Sequence, residues 1–180
     1  ENSKRYRMTK EQKAEIEELR RQAEVKTAEK YTQAAQRAQS IWDRAEDCVK
    51  HEYLENKQVL SYGLKKDTHN NLVIPMKDGQ GTIVGLQFIA ADGTKRFLTG
   101  SKKSGSFFLL GREIFNSSDT LNYAEGYATA ASIYADRSQP VVVAFDAFNL
   151  APVAEVMYKY FPHHKHVFVA DNDDSQTGER

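Results

Sequence analysis

The sequence predicts an α/β protein: a parallel sheet with helices in its last third, preceded by a small mixed β-rich subdomain and an N-terminal helical region. Three observations support this. Apolar residues recur at steps of three and four through the first fifty positions, the middle holds short β-rich runs, and strand and helix patterns alternate from Leu121 onward. The parts are expected at residues 1–52, 53–118 and 119–180.

With 180 residues, 40% hydrophobic and 28% charged, the chain can bury one ordinary core or two small ones, which excludes a wholly disordered protein. Its 25 basic and 25 acidic residues cancel, so only local clusters can argue for a polyanionic partner. The single cysteine, Cys48, excludes an internal disulfide framework and a zinc ribbon made within the chain, and suits a reducing compartment. The longest apolar runs are of strand length, too short for a signal peptide or membrane span, so a cytoplasmic protein is expected. The chain starts at Glu1 without Met and ends in polar residues, as a piece of a longer protein would.

The elements follow in order. Thr9 and Gln12 form a capping box ahead of Ile16, Leu19, Ala23, Tyr31, Ala34, Ala38, Ile41, Ala45 and Val49, which share one helical face. A helix of that length would span roughly 60 Å unbroken, so a break near Glu24 to Thr27 or packing along another domain is expected. From Tyr53 to Gly111, "NLVIPM", "GTIVGLQFI", "TKRFLTG" and "SFFLL" read as strands of one twisted antiparallel sheet, with "KDGQG" and "ADGTK" as turns. "SKKSGS" is a flexible basic loop, and "NSSDT" a boundary. Then "LNYAE", "PVVVAF" and "HVFVA" are strands, and "GYATAASIYAD" and "NLAPVAEVMYKYF" the helices joining them, which makes two βαβ units and a parallel sheet.

Ligands bind such sheets beyond the carboxyl ends of their strands. Glu125, Asp146 and Asp171 stand there, with Asn172, Asp173 and Asp174 close behind. Carboxylates gathered at one edge repel unless a cation lies between them. Hard oxygen donors suit Mg²⁺, or Mn²⁺ in its place, which commonly bridges protein carboxylates and substrate phosphates. Asp171 and Asp173 can face one ion, Glu125 can be a further ligand or a general acid/base, and Gly126 relieves a turn that a side chain would cramp. Asp146 and Asn149 suit capping of the next helix or lining of the site. The "HHKH" run at His163, His164 and His166 reads as a helix exit entering a strand, and Trp42 as a packing anchor. Phe107 and Phe108 could stack a base, although one of them at least belongs in the core.

"YAEGYATAASIY", "VVVAFDAFNL" and "VFVADNDDSQTGE" together resemble the TOPRIM domain of bacterial-type primases, topoisomerases and some nucleases. The preceding "LVIPMKDGQGTIVGLQFIAADGTKRFLTGSKKSGSFFLLG" resembles the half of bacterial primases that comes before TOPRIM, in the style of enzymes carried by plasmids, phages and conjugative elements. The resemblance runs from about Tyr53 to the C-terminus. It implies a DNA primase catalytic fragment that makes RNA primers on single-stranded DNA from nucleoside triphosphates. Glu125, Asp171 and Asp173 would be its catalytic metal ligands, with Asp174 as an extra acid. Lys95, Arg96, Lys102, Lys103 and Arg112 would form its nucleic-acid and nucleotide contacts. A helicase or relaxase is a further partner of that setting, and no membrane is. Two departures stand: the family's N-terminal zinc module has no ligands here, and the chain ends soon after the Asp-x-Asp strand. A TOPRIM nuclease would use the same acids, and a non-catalytic single-strand or partner-binding module would use the N-terminal helix instead.

Overall fold

The structure, a computed structural model, describes residues 8–113 and 119–169. Thr9 caps the first helix, α1 (Lys10–Arg44), its hydroxyl accepting the Gln12 N–H at 3.2 Å while the Gln12 side chain accepts the Thr9 N–H at 3.0 Å. The expected break near Glu24 to Thr27 is absent. No Gly or Pro occurs before Gly63, and the Thr27 and Thr32 hydroxyls return to the carbonyls of Ala23 and Ala28, so the helix runs unbroken for 35 residues, about 52 Å. It stops at Arg44, short of the expected end, and Val49 lies beyond it, 84% exposed. Only its last third packs: Ala34 and Ala38 are fully buried, whereas Ile16 and Leu19 on the same apolar face stay exposed.

The first sheet is antiparallel throughout, in the order β1 (Glu46–Asp47), β2 (Lys65–Lys66), β3 (Leu72–Lys77), β4 (Ile83–Ile89), β5 (Lys95–Phe97). A short helix the sequence reading missed, α2 (Glu52–Lys57), sits between β1 and β2 and buries Tyr53 and Leu54. Strand alternation gives the sheet two apolar faces. Val73, Ile83 and Leu86 pack under Ala38, Ile41 and Trp42 of α1. The Lys65 ammonium reaches the Trp42 carbonyl at 3.1 Å and lies 4.9 Å from the Trp42 ring centre, so Trp42 is a packing anchor. Leu72, Ile74, Met76 and Ile89 face the main core.

The second sheet has the order β6 (Phe108–Leu110), β8 (Val141–Val143), β7 (Thr120–Ala124), β9 (Lys165–Val169). Here β8 and β9 both run parallel to β7, which confirms the parallel core, and β6 pairs antiparallel with β8. The "SFFLL" strand therefore belongs to this sheet and not to the antiparallel one. Three apolar residues fit either sheet, and the bonds that decide are made with β8, more than thirty residues away. The sheets touch through a backbone bridge between Lys77 and Phe107. Helix α3 (Tyr127–Arg137) covers one face of the second sheet, packing Ala130, Ala131 and Ile133 beside Val141 and Val143. A 3-10 turn (Ala147–Asn149) leads into α4 (Leu150–Tyr160), which covers the other face with Val153 and Met157 against Leu121, Tyr123 and Val142. No helix among the described residues is long and apolar enough to cross a membrane.

Candidate active site

The chain leaves β7 at Glu125 and β8 at Phe145–Asp146, and β9 ends with Val169 paired to Ala124. All three parallel strands thus end at one edge, at the level of Glu125. Asp171, Asp173 and Asp174 lie outside the described residues. Glu125 is half-buried, and one of its carboxylate oxygens is shielded from solvent. A half-sheltered carboxylate oxygen is a hard donor of the kind Mg²⁺ or Mn²⁺ takes, so the residue fits a divalent ion. Among the described residues no three His, Cys, Asp or Glu side chains converge as a metal cluster.

The turn presenting Glu125 is fixed from behind. Tyr127, the first residue of α3, is fully buried, and its hydroxyl donates to the Leu60 carbonyl at 2.9 Å, with the Ser61 carbonyl also in reach. Burial holds that phenol well above its ordinary pKa. Gly126 has a different role from the one expected. Its backbone is extended (φ −119°, ψ 158°), and a Cβ there would meet only the Lys95 ammonium, at 3.5 Å, an ordinary contact. The turn is not cramped by the chain. Instead Lys95, from β5, brings its ammonium beside Gly126.

Lys103 arrives by another route. It forms an ion pair with Asp146 and lies 5.1 Å from the centre of the Phe97 ring, which meets Phe145 edge-on at 6.2 Å. Asn149 ties this loop down. Its Oδ1 accepts the Gly105 N–H at 2.8 Å, and its Nδ2 donates to the Ala144 and Ser106 carbonyls at 2.7 and 2.9 Å. Asp146 in turn accepts the Asn149 N–H at 2.9 Å, so it caps the turn as expected while also holding Lys103. Asn149 is buried, and no local pattern signals this anchoring role, since two of its three side-chain partners, Gly105 and Ser106, lie more than forty residues away. Phe145 was likewise missed. It takes φ 74°, a left-handed conformation unusual for an aromatic residue, at the point where β8 turns away.

Lys95 and Lys103 come from β5 and the loop after it, with Lys95 at Gly126 and Lys103 at Asp146, whereas Arg96, paired with Phe88, lies on the opposite face of the strand, toward α1. Lys102 and Arg112 go elsewhere, into cavities lined by the β3–β4 turn and α4. Because β6 runs against β8, Arg112 leaves the sheet at the edge away from Glu125. Phe108 is core, whereas Phe107 is half-buried against α4's cluster and lines the cavity beside Lys77 and Arg112. His166 binds the Tyr123 hydroxyl at 2.6 Å through Nδ1 and the Phe161 carbonyl at 3.1 Å through Nε2, both ring nitrogens serving the packing of β9.

No protein-family model matches the chain. Its fold is similar to the primase fragment of the bacteriophage T7 primase-helicase protein, with a TM-score of 0.57 and 20% identity over 77% of this chain and 60% of that one. It is also similar to a primase domain in a structure of the bacteriophage T7 lagging-strand DNA polymerase interacting with primase domains bound to an RNA/DNA hybrid and dTTP. There the TM-score is 0.50 and the identity 18%, over 76% and 70% of the two chains. The fold is thus the one seen in phage primase fragments. In sequence the chain is 38% identical over 128 residues to a DNA primase TraC of Escherichia coli, covering 69% of this chain and 12% of that protein. A second Escherichia coli TraC is 40% identical over 102 residues, covering 56% of this chain and 7% of its own length. The chain is thus similar in sequence to one part of these two TraC primases and spans only 12% and 7% of their lengths.

Proposed function

We propose that this chain is part of the catalytic core of a DNA primase and joins ribonucleotides on a single-stranded DNA template. The observation that carries the reading is the common edge at which all three parallel strands end. It presents the half-buried Glu125 with Lys95 at its turn, and β9 ends in register beside it. Asp171 and Asp173 are proposed to complete the acid set, with Asp174 as an extra ligand. A bound Mg²⁺ or Mn²⁺ would supply charge neutralisation at the triphosphate and a more acidic attacking hydroxyl. Glu125 would hold the ion through its sheltered carboxylate, while Lys95 and Lys103 would position the phosphates of substrate and template.

The division into a helical region (1–52), a β-rich part (53–118) and the parallel-sheet part (119–180) is proposed as a division of labour, although β6 crosses it. The template, nucleoside triphosphates, a helicase or relaxase, and a cytoplasmic location complete the proposal. The T7 structure in which primase domains bind an RNA/DNA hybrid and dTTP supports the substrate class.

The test is primer synthesis by the longest parent protein that carries this chain, with labelled ribonucleotides, single-stranded DNA and Mg²⁺ or Mn²⁺. Template-dependent oligonucleotides that vanish in an Asp171→Asn/Asp173→Asn variant support the reading. Cleavage of the DNA without synthesis would make the protein a nuclease. Single-strand binding that survives chelation and Glu125→Gln, with no synthesis, would make it a binding module.

A further inference from the structure

Two cavities adjoin on the α4 side of the molecule, sharing Asp78, Gly79 and Gln80 of the β3–β4 turn. One, of about 340 Å³, is flanked by Lys77 and Arg112, and the other, of about 290 Å³, by Lys102 and Lys159. The acid in their walls, Asp78, is committed to the turn, where Oδ1 accepts the N–H groups of Gln80 and Thr82 at 2.9 Å each. None of the four cations is ion-paired among the described residues. Lys77 stands where the pairing of β3 with β4 shifts register, a kink of the kind that re-aims a side chain, and it is half-buried. Its burial, and then the neighbouring Arg112, press its ammonium below the ordinary lysine pKa. A charge held at such a cost is stabilised when an anion enters.

The walls are preset. Lys77 and Phe107 exchange backbone hydrogen bonds at 2.8 and 2.9 Å. Gly79 lies so close to α4 that a Cβ there would fall 2.6 Å from Tyr160 Cε2. Tyr160, 48% exposed, and the half-buried Phe161 add aromatic surface along the same band.

We propose that this band of Lys77, Arg112, Lys102 and Lys159 is a second track for the sugar-phosphate backbone of a single-stranded polynucleotide, separate from the Glu125 edge. The proposal rests on the primase reading for the identity of the strand. A lone phosphate needs one cavity, whereas four cations spread over two adjoining cavities match a ligand of repeating charge. The aromatic rims suit unstacked bases.

The test is fluorescence anisotropy of labelled oligothymidylate with this chain in EDTA, across a salt series. Lys77→Gln/Arg112→Gln and Lys102→Gln/Lys159→Gln are compared with wild type. Lys102 and Lys159 are exposed, so the second pair reports binding even where loss of the half-buried Lys77 disturbs folding. Each pair should flatten the slope of log affinity against log salt by roughly 1.4, at about 0.7 per lost phosphate contact on a single strand. Wild-type affinity and slope in the second pair overturn the track, as does absence of oligonucleotide binding by wild type. Competition by inorganic triphosphate at concentrations where the oligonucleotide chain length has no effect would make it a free-nucleotide site and also overturn it. The readout needs neither metal nor Glu125, so its failure leaves the primer-synthesis test standing.

Discussion

Replacing Asn149 with alanine tests how the basic loop is held to the parallel sheet. The side chain makes three hydrogen bonds, to Gly105, Ala144 and Ser106, and is itself 2% exposed. Each such bond contributes about 1 kcal/mol net, and a buried partner left without one costs about 1–3 kcal/mol. Ala144 and Ser106 are buried, so water reaches their carbonyls poorly. A loss of about 3–4 kcal/mol is expected, a large share of the roughly 5–15 kcal/mol that holds a domain together. Asn149→Asp keeps the acceptor for Gly105, removes both donated bonds and sets a carboxylate against two carbonyls, so it should cost at least as much. Urea unfolding measures both, with the denaturant slope checked for constancy. A loss below about 1 kcal/mol in both variants would refute the anchoring account. A loss of that size with the affinity for single-stranded DNA unchanged would separate folding from the proposed binding.

Other outcomes follow from the same geometry. Glu125→Gln should leave the melting temperature within a few degrees and abolish primer synthesis by the parent protein. Leu121→Ala, fully buried between β7 and α4, should cost about 3 kcal/mol by denaturant unfolding. Stability should fall in alkali. Burial raises the phenols of Tyr123 and Tyr127 above the ordinary value of about 10, so above that pH the unfolded chain releases protons that the folded one keeps. The contribution is complete below about pH 10 and declines as pH rises further, and Tyr127→Phe should flatten the decline seen in thermal melts.

The alternation from Leu121 to Val169 was legible because its signals are local. β8 is a run of valines buried on both faces, and α3 and α4, at 11 residues each, are too long at their spacing to be taken for strands. The continuity of α1 was misjudged because a helix of roughly 60 Å was expected to break or to pack along its length, whereas the absence of Gly and Pro and its self-satisfied threonines let it run on although only its last third packs. What stayed hidden depended on distant partners. The choice of sheet for β6, the Asn149 anchor and the approach of Lys95 to Gly126 are each set by residues thirty or more positions away. Of the site, the position of Glu125 at a strand's carboxyl end and the basic character of β5 and its loop were readable. The partition of those cations, Lys95 and Lys103 to one edge and Lys102 and Arg112 to α4's side, was not, because adjacent lysines in a loop carry no label of direction.

The claim on which the account depends is that Glu125 shares a divalent ion with acids at the end of β9. The most direct measurement is Mn²⁺ binding to this chain by electron paramagnetic resonance, in wild type, Glu125→Gln and Asp171→Asn/Asp173→Asn. The account predicts bound Mn²⁺ in wild type, at least tenfold weaker in either variant, and displaced by excess Mg²⁺. Binding unaffected by Glu125→Gln, or absent from the folded wild-type chain, would contradict it.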